Sequence, residues 1–431
     1  MSQYDNPNVE VQGRASYLVT EGLENQSDVR QNTDGSRRYE RYILDRVVDF
    51  LGRPAIRFEL WDGFGVNGQE GVTLVGTVRI KTRDAFNKLL SDVHVGLGDE
   101  YSAGRIVVDG DLVDVLTETF AHLDQQSGRF GWIQKVFRRK RKMNTIAGSK
   151  QNIFHHYDLN NDFYALWLDR EMQYTCAYFA DDHFSLEDAQ LAKMDHICRK
   201  LQLKPGDRVA EAGSGWGGLA RHMALYYSVH VTSFNISQEQ VSFSRERAAR
   251  EGYSDRVDYV EDDYRTLTGE YDAFVSVGML EHVGQEGFNE LGRVINRCLT
   301  PNGRGLIHSI GRNRPANMNA WIEKRIFPGA YPPALSEMMD IFQPNSLSIA
   351  DVENLRLHYA RTLEHWLHRF EKSVDTVESM FDPVFVRLWR LYLSGSIAAF
   401  LSGNLQLFQV LFNRERDNSV AWTRDHIYPK N

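Results

Sequence analysis

The feature that most constrains the fold of this chain is a regular alternation of predicted strands and helices that begins at residue 186. The helical pattern LEDAQLAKMDHICRKLQL is followed by the turn KPGD, the strand RVAEAG and a glycine-rich loop, and the alternation continues to the strand GLIHSIG at 305–311. Strands that alternate with helices of this length predict a doubly wound, mostly parallel sheet. Because such sheets bind ligands at the carboxyl ends of their strands, we expect an α/β fold with its binding site at that edge.

The glycine-rich loop GSGWGG at residues 213–218 narrows the choice of ligand. Its first, third and last residues fit the dinucleotide-binding pattern G-x-G-x-x-G, which alone is a weak signal. However, the acid Glu211 precedes the loop, and the acid that would bind an NAD ribose about 20 residues later is replaced by SFN, which ends in Asn235. An acid followed by this spacing of glycines resembles motif I of the class I S-adenosylmethionine methyltransferases. We therefore favour a methyl donor over NAD.

The chain divides into four segments by composition and pattern. Residues 1–36 are polar and aperiodic, so we expect a flexible N-terminus. Short alternating runs and two helical patterns, RDAFNKLL and LVDVLTETFAHL, predict a small α+β domain over 37–125 without a catalytic cluster. A basic connector covers 126–150, and we expect the catalytic domain over 151–431.

Charge is unevenly distributed along the chain. The formal net charge is −8, which argues against a nucleic-acid partner, yet residues 125–157 contain no acidic side chain. Within that stretch Trp132, Ile133, Val136 and Phe137 share one helical face among Lys and Arg residues. This pattern is typical of an amphipathic segment on a surface of anionic lipid headgroups. It is equally typical of a solvated linker whose aromatic side chains pack on the protein, and the sequence leaves both interpretations open.

The cysteines and the apolar runs bound the setting of the protein. Cys176, Cys198 and Cys298 are too few and too scattered for a disulfide framework or a cysteine-rich metal site, and we expect no metal. We expect no signal peptide and no membrane span, because the sequence does not begin with an apolar run and none of its apolar runs reaches roughly 18 residues. These features favour a reducing, cytoplasmic setting with no segment that crosses a bilayer.

Several longer motifs carry a closer resemblance. In chain order they are IFHHYDLNNDFYALWLDREMQYTCAYF, EAGSGWGGLA, NISQEQ, SVGMLEHVG, GLIHSIG, WIEKRIFPGAYPP and HYARTLEHW. The same motifs occur in the same order in the cyclopropane-fatty-acyl-phospholipid synthases, and the mycolic acid cyclopropane synthases are similar. The resemblance covers about residues 150–415, and GLGDEYSAGRIVVDGDL at 96–112 resembles the N-terminal domain of the phospholipid-acting members. It implies a Rossmann-like class I methyltransferase fold, with helical insertions that hold an acyl chain and with S-adenosylmethionine as the cofactor.

The resemblance also implies a catalytic set. Family members hold a bicarbonate ion that acts as the general base, and the resemblance assigns its binding to Glu281, His308 and Tyr359, and to Cys176 and Ile310 through their backbones. Glu281 follows the fourth predicted strand and His308 ends the fifth, so both are expected at the carboxyl edge of the sheet. A small anion stabilises a nearby carbocation and accepts its proton, which suits this chemistry. Each side chain also has a structural alternative: a helix cap for Glu281, a core histidine for His308, and packing for Cys176 and Tyr359.

For the methyl donor, the resemblance indicates residues that follow the first three strands and a segment that precedes the fold. These residues are Tyr174, Thr175, Gly213, Gly215, Trp216, Asn235, Gln240, Asp263 and Tyr264. Asp263 is expected to contact the adenine, with Asp262 as the alternative. The family loop usually reads GCGWGG after an Asp, whereas this chain has Ser214 after Glu211, and Asn235 stands where Thr is usual. Because these positions remain polar, the departures bear on affinity more than on identity.

Together these features predict an enzyme that transfers a methylene unit from S-adenosylmethionine to the cis double bond of unsaturated acyl chains in membrane phospholipids, forming a cyclopropane ring. One alternative keeps donor and substrate but gives a methylene- or methyl-branched chain, with a reductase as a further partner. A second alternative is a lipid-binding protein without turnover. The expected partners are the phospholipid and an anionic membrane surface, and a homodimer is common in the family. The expected location is cytoplasmic, peripheral at the inner membrane face.

Overall fold

The computed structural model describes residues 35–92, 95–123 and 159–428. The basic connector predicted at 126–150, and nearly all of the predicted flexible N-terminus, lie outside the described residues. The described chain contains a four-stranded sheet near its start and a seven-stranded sheet in its larger, later part.

The first sheet belongs to a small α+β region. Its elements are α1 (Arg38–Phe50), β1 (Ile56–Glu59), β2 (Gly65–Asn67), β3 (Gly76–Ile80), α2 (Arg83–Ser91), α3 (Gly96–Ser102), β4 (Ile106–Gly110) and α4, which is helical over 112–123. The strand order is β2–β1–β3–β4, in which only β1 and β3 run parallel. The predicted helices α2 and α4 are confirmed, whereas α1 and α3 were not predicted. In α1 the β-branched residues resemble a strand in composition, but Leu44 and Val48 lie one turn apart and are buried in the same core as Phe58.

The second sheet has the doubly wound topology that the sequence predicts. Its strand order is β10–β11–β9–β8–β5–β6–β7, and β5 to β9 are all parallel. The strands are β5 (Arg208–Ala212), β6 (His230–Asn235), β7 (Val257–Glu261), β8 (Tyr271–Val277), β9 (Leu299–Gly311), β10 (Leu347–Asn354) and β11 (Gln406–Arg414). The last two strands are antiparallel additions at one side of the sheet, and the sequence patterns did not predict them.

Helices connect and cover these strands. They are α5 (Asn161–Ala165), α6 (Leu186–Leu201), α7 (Gly218–Tyr226), α8 (Gln238–Glu251), α9 (Leu280–Val283), α10 (Phe288–Cys298), α11 (Ala320–Arg325), α12 (Leu335–Phe342), α13 (Arg356–Lys372), α14 (Val374–Met380) and α15 (Pro383–Leu401). Local chemistry sets their ends: the Ser185 hydroxyl accepts from the Asp188 amide at the start of α6, and Gly252, whose φ is +76°, caps the end of α8.

An aromatic core lies beside the carboxyl edge of the second sheet. Phe163 packs edge-on against Trp389, and Trp167 contacts both Trp389 and Trp366. These residues come from the segment before the sheet, from α13 and from α15. Helix α15 is long and apolar enough to cross a membrane by length and composition, but 61% of its apolar window is buried inside the protein. Its composition is therefore accounted for by the core.

The small region contacts the aromatic core directly through α3. Asp99 accepts from the Arg325 guanidinium at 2.7 and 3.0 Å and from the Trp321 indole at 3.1 Å. The Arg387 guanidinium of α15 donates to the Ser102 carbonyl at 2.6 Å. A Cβ at Gly98 would collide with the Trp321 ring, so a glycine is required at this close approach.

Candidate active site

The residues predicted from the sequence converge on the carboxyl edge of the parallel strands. The glycine-rich loop follows β5, Asn235 ends β6, Asp263 follows β7 and Glu281 follows β8. His308 and Ile310 lie near the end of β9. This edge is where a doubly wound sheet binds its ligand.

Gly215 is the residue of the glycine-rich loop best placed to face a ligand. Cβ atoms added at Gly217 and Gly218 would strike the side chains of Tyr259 and Gln173, so those glycines allow the loop to pack. Gly215 has a φ of +51°, and a Cβ added there would meet no protein atom within 4 Å. The loop is therefore packed against the protein at Gly217 and Gly218 and faces open space at Gly215, where its backbone could approach a ligand.

Asn235 supports this loop from the end of β6. Its Nδ2 donates to the Gly215 carbonyl at 3.1 Å, to Ser214 Oγ at 3.2 Å and to Gln240 Oε1 at 2.9 Å. Among the described residues, the Nε2 of Gln240 is buried and has no hydrogen-bond partner. Asn235 thus holds the loop, whereas Gln240 retains a donor that a ligand could use. The contact of either residue with the methyl donor stays a prediction.

A cavity of about 570 Å³ opens beside the loop, within the size range of small-molecule sites. Its wall includes the predicted residues Gly213, Asn235, Asp263 and Tyr264. The Asp263 carboxylate is bound at both oxygens by the Arg265 guanidinium, at 2.7 Å each. The expected adenine contact of Asp263 therefore competes with an ion pair that the sequence analysis missed, and it stays a prediction.

The predicted donor residues Tyr174, Thr175 and Trp216 are not among the residues that line this cavity. The Trp216 indole donates to Asn161 Oδ1 at 2.6 Å, and its ring contacts that of Tyr164 at 4.9 Å. The hydroxyl of Tyr174 is hydrogen-bonded to that of Tyr392 at 2.8 Å. Thr175 Oγ1 accepts from a fully buried lysine, which also donates to Gln173. The aromatic groups are thus fixed by packing before any ligand binds.

That lysine, Lys193, and the loop acid Glu211 lie beneath the site. Burial lowers the pKa of Lys193 to about 8, although nearby acids oppose the shift. Burial raises the pKa of Glu211 to about 7, although the Ser233 hydroxyl, which donates to it at 2.5 Å, opposes the shift. The sequence identifies Glu211 as the acid before the loop, but it does not identify Lys193. A lysine in an amphipathic helix gives no sequence signal that it is buried.

Glu281 does not cap a helix. Strand β8 ends at Val277, and the amide of the next residue, Gly278, donates to the His308 carbonyl of β9. The next β9 amide that faces β8 is that of Ile310, and it donates to Glu281 Oε1 at 2.6 Å. The carboxylate thus continues the ladder where the strand stops. Its Oε2 is buried and has no hydrogen-bond partner among the described residues. Burial raises the pKa of Glu281 to about 7, against the lowering effect of hydrogen bonds from the backbone and from Ser309.

Ile310 was predicted to hold an anion through its backbone. Because its amide is bound by Glu281, the structure connects Ile310 and Glu281 directly, but that amide is already satisfied. The role of Ile310 toward an anion stays a prediction, and it requires a backbone group other than this N–H.

His308 is 1% exposed and lies two residues before Ile310, on the same side of β9. Its Nδ1 lies 3.1 Å from Gln409 Nε2, and its Nε2 is buried with no partner among the described residues. Burial lowers the pKa of His308, and the ammonium groups of Lys193 and Lys200 lower it further. His308 and Glu281 therefore each present one unpartnered polar atom beside the end of β9.

Cys176 and Tyr359 complete the predicted set. The Cys176 thiol is fully buried, donates to the Ala177 carbonyl at 3.1 Å and lies 3.9 Å from the Leu355 carbonyl. Burial raises the pKa of this thiol, so its sulfur is no nucleophile at neutral pH. Tyr359 lies one turn beyond Leu355 on α13, with its ring 4.7 Å from that of Phe400. Cys176, Tyr359 and Ile310 belong to or pack against the same hydrophobic cluster, and Glu281 meets that cluster through its hydrogen bond with Ile310. The roles of these residues stay predictions.

Comparison with known proteins agrees with this geometry. The chain matches the mycolic acid cyclopropane synthetase family over residues 145–410. It is 34% identical over 398 residues to a probable fatty acid methyltransferase of Pseudomonas putida, covering 86% of this chain and 96% of that protein. It is also 34% identical over 372 residues to the cyclopropane-fatty-acyl-phospholipid synthase of Escherichia coli K12, covering 84% of this chain and 93% of that protein.

A solved structure supports the same fold. The mycolic acid cyclopropane synthase CmaA1, in a crystal structure complexed with SAH and CTAB, is 26% identical and superposes with a TM-score of 0.59. The match covers 62% of this chain and 98% of that one. The α/β methyltransferase fold predicted from the sequence is confirmed.

Proposed function

Since the chain belongs to the mycolic acid cyclopropane synthetase family, whose members are S-adenosylmethionine-dependent methyltransferases that act on acyl chains, we propose that its substrate is an unsaturated acyl chain of a membrane phospholipid. The product is a cyclopropane ring across the cis double bond, and a bound bicarbonate ion is the base. Two buried, unpartnered atoms at the end of β9, Glu281 Oε2 and His308 Nε2, carry the bicarbonate part of this proposal.

The residues present fit the methyl donor. Gly215 offers an open backbone approach, the Gln240 amide has an unused donor, and the adjacent cavity of about 570 Å³ is large enough for a nucleoside. When bound, S-adenosylmethionine supplies a methyl group on a sulfonium centre. We expect the chain to hold that group in line with the double bond and away from water, beside the aromatic cluster that contains Trp216 and Tyr174.

The residues also fit a small anion that carries one proton. A carboxylate oxygen can accept an O–H, and an imidazole N–H can donate to a charged oxygen, so Glu281 and His308 match the two kinds of group on bicarbonate. The chemistry that the ion supplies there is acceptance of a proton. By resemblance we assign a third contact to Tyr359 of α13, whose hydroxyl can also donate to a charged oxygen.

The reaction requires that positive charge be tolerated. The π electrons of the double bond form a new C–C bond to the methyl carbon, the C–S electron pair stays on sulfur, and the far carbon becomes a cation. Loss of a proton from the added methyl group then supplies the electron pair that closes the ring. A pre-oriented anion beside the cation stabilises it without rearrangement at the moment of reaction.

Phospholipid as the acyl carrier and the membrane as the place of action are supported by resemblance. The E. coli relative is named a cyclopropane-fatty-acyl-phospholipid synthase and shares 34% identity over nearly its full length. The basic amphipathic connector at 126–150 suits a surface of anionic headgroups at the inner membrane face. We therefore propose a peripheral, cytoplasmic enzyme.

A second product has its own support. The relative from Pseudomonas putida, equally identical at 34%, is named a probable fatty acid methyltransferase. If the proton leaves a neighbouring chain carbon instead of the added methyl group, the product is a branched alkene, which a reductase would convert to a methyl-branched chain. Both outcomes use the same donor and the same double bond.

Lipid mass spectrometry of cells that express the protein tests the proposal. A gain of one CH₂ unit on monounsaturated phospholipid chains is expected, and NMR of the purified lipid should show ring protons. A CH₂ gain with vinyl or methyl-branch signals instead would establish the second product. Lipids with no gain in mass, from cells that contain the folded protein, would contradict both.

A further inference from the structure

A line of buried polar side chains lies behind His308, on the side away from the unpartnered Nε2. Gln409 of β11 is the register partner of His308 of β9, and its Nε2 lies 3.1 Å from His308 Nδ1. The other atom of that amide, Gln409 Oε1, accepts from Lys200 Nζ at 2.8 Å. Lys200 in turn donates to Glu353 Oε2 at 2.6 Å. Both Lys200 and Gln409 are fully buried.

The lysine fixes the direction of the amide. An ammonium group has donors and no acceptor, so the group that faces it must be the carbonyl oxygen of Gln409. Lys200 is held as an ammonium by Glu353, which also accepts from His196 at 2.7 Å and from Tyr428 at 2.9 Å. Burial would raise the pKa of Glu353, but hydrogen bonds from His196 and Lys200 outweigh it and bring the pKa to about 2.

The amide in turn fixes the proton on the imidazole. With its oxygen turned to Lys200, Gln409 presents an NH₂ group to His308 Nδ1, and an NH₂ group only donates. Nδ1 must therefore be the acceptor, and in a neutral imidazole the proton then resides on Nε2. An imidazolium would place two donors 3.1 Å apart in a buried space, which is unfavourable.

We propose that Gln409, oriented by Lys200, is a positioning residue that holds His308 as the neutral Nε2–H tautomer, so that His308 donates a hydrogen bond to an anion in the active site. This inference rests on the proposed function for the identity of the anion, but not for the position of the proton. It also assigns a limit to His308: a ring whose only lone pair is bound by Gln409 is a donor and not the base.

The consequence for the site is a division of roles. Glu281 Oε2 and His308 Nε2 are both buried without partners among the described residues, the first an acceptor when ionised and the second a donor. An anion between a fixed donor and an acceptor is oriented as well as bound. The sequence motif predicts the position of His308 on β9. The protonation of His308, however, depends on Gln409 of β11, which lies 101 residues later in the chain.

The direct test is nitrogen NMR of the full-length protein with ¹⁵N-labelled histidine, at neutral pH and without substrate. We expect His308, identified by the signal lost in His308→Asn, to show a proton on Nε2 and a bare Nδ1. In Gln409→Glu, a carboxylate oxygen faces Nδ1 and accepts, so the proton should move to Nδ1. The bare Nε2 would then face the anion, and turnover should fall roughly 10²-fold, the cost of losing one preorganised donor.

Controls separate this effect from damage to the fold. Gln406→Glu adds a carboxylate at a buried glutamine of the same strand, whose side chain points to the opposite face and bonds to Asn354. It should leave the His308 tautomer and turnover unchanged. If Gln409→Glu does not fold, Gln409→Met provides the second variant: it keeps the length of the side chain, removes the donor, and should let an Nδ1–H population appear.

The results distinguish failure of the inferred role of Gln409 from failure of the proposed function. Parental His308 with its proton on Nδ1, or as an imidazolium, would overturn the inference whatever the enzyme makes. A His308 that stays Nε2–H with parental turnover in both Gln409 variants would overturn it as well. If instead the tautomers behave as expected but cells gain no modified lipid, the proposed function fails while the role of Gln409 stands.

Discussion

Replacing Glu281 with glutamine tests the proposed proton transfer, and the structure predicts two separate effects. A glutamine oxygen can accept from the Ile310 amide as Glu281 Oε1 does at 2.6 Å, so the contact with β9 is kept. The atom that replaces Oε2, which has no partner among the described residues, becomes an NH₂ group that donates and cannot accept. The substitution therefore preserves volume and the strand contact while removing one acceptor and one ionisable group.

The first effect is on chemistry. We expect turnover to fall roughly 10²-fold or more, equivalent to about 2.7 kcal/mol of barrier, the scale of positioned acid–base catalysis. Affinity for S-adenosylhomocysteine, measured by calorimetry, should stay unchanged because Glu281 does not line the donor cavity. Removal of dissolved carbonate should slow the parent strongly and Glu281→Gln much less, because the variant no longer uses the ion well.

The second effect is on stability. Burial raises the pKa of Glu281 from 4.5 to about 7, so the folded protein keeps this carboxyl protonated at pH values where the unfolded chain has ionised it. That contribution is complete below pH 4.5 and is lost as pH rises through about 7. The loss amounts to about 3 kcal/mol at 1.36 kcal/mol per pKa unit. Glutamine does not titrate, so the stability of Glu281→Gln relative to the parent should rise by about this amount between pH 4.5 and pH 8, as measured by urea unfolding.

Two outcomes would refute this reasoning. Parental turnover with parental carbonate dependence would show that Glu281 only anchors β9. An equal stability difference at both pH values would show that the carboxyl is not desolvated. The matched control is Glu337→Gln, since Glu337 is 7% exposed like Glu281 but both of its oxygens accept from Tyr331 or Ala334. It should lose stability and keep its turnover number.

Three further substitutions test the remaining assignments. Gly215→Val should abolish S-adenosylhomocysteine binding in calorimetric titration, because its side chain would enter the open approach of the loop. The control Gly252→Val also has a positive φ in open space and should bind normally. Undiminished affinity of Gly215→Val would contradict the donor site. Tyr359→Phe keeps the ring contacts with Trp366 and Phe400, so thermal unfolding should change little, while turnover should fall roughly tenfold or more. Parental turnover would leave Tyr359 as a packing residue. A variant in which the basic connector is neutralised should sediment less with anionic vesicles, and added salt should have the same effect on the parent. The residues to change are Arg138, Arg139, Lys140, Arg141 and Lys142. Equal binding of variant and parent at low salt would leave the segment as a linker.

The sequence predicts the parallel strands well because β5 to β9 are short apolar runs bounded by turns and separated by periodic helices. It did not predict β11, which is buried at every position except Arg414 and therefore lacks the alternation of a half-exposed strand. Gln409 also interrupts its apolar run, which Gln406 and Asn413 flank. Because a buried polar side chain needs a partner that only the tertiary structure supplies, the residue that obscures this strand, Gln409, is the one that contacts His308.

The two buried lysines of α6 show a related arrangement. Lys193 and Lys200 lie seven residues apart, on one face of the helix, and neither is exposed. Lys193 Nζ donates to Gln173 Oε1 at 2.6 Å and to Thr175 Oγ1 at 2.9 Å. Lys200 donates to Gln409 Oε1 at 2.8 Å. Each ammonium thus meets the active-site residues through a neutral side chain.

This separation suits a reaction that forms a cation. In a buried space of low dielectric, a lysine in contact with the substrate would repel the positive charge that develops on the acyl chain. A hydroxyl or amide whose oxygen is occupied by a lysine has its proton left to donate in the other direction. Thr175 and Gln409 therefore become fixed donors. On the inferred arrangement, Gln409 donates to His308 Nδ1, so His308 is in turn a donor through Nε2. On the proposed mechanism, the lysines help to bind and orient the anion without contacting the reacting carbon, and it is the anion that faces the cation.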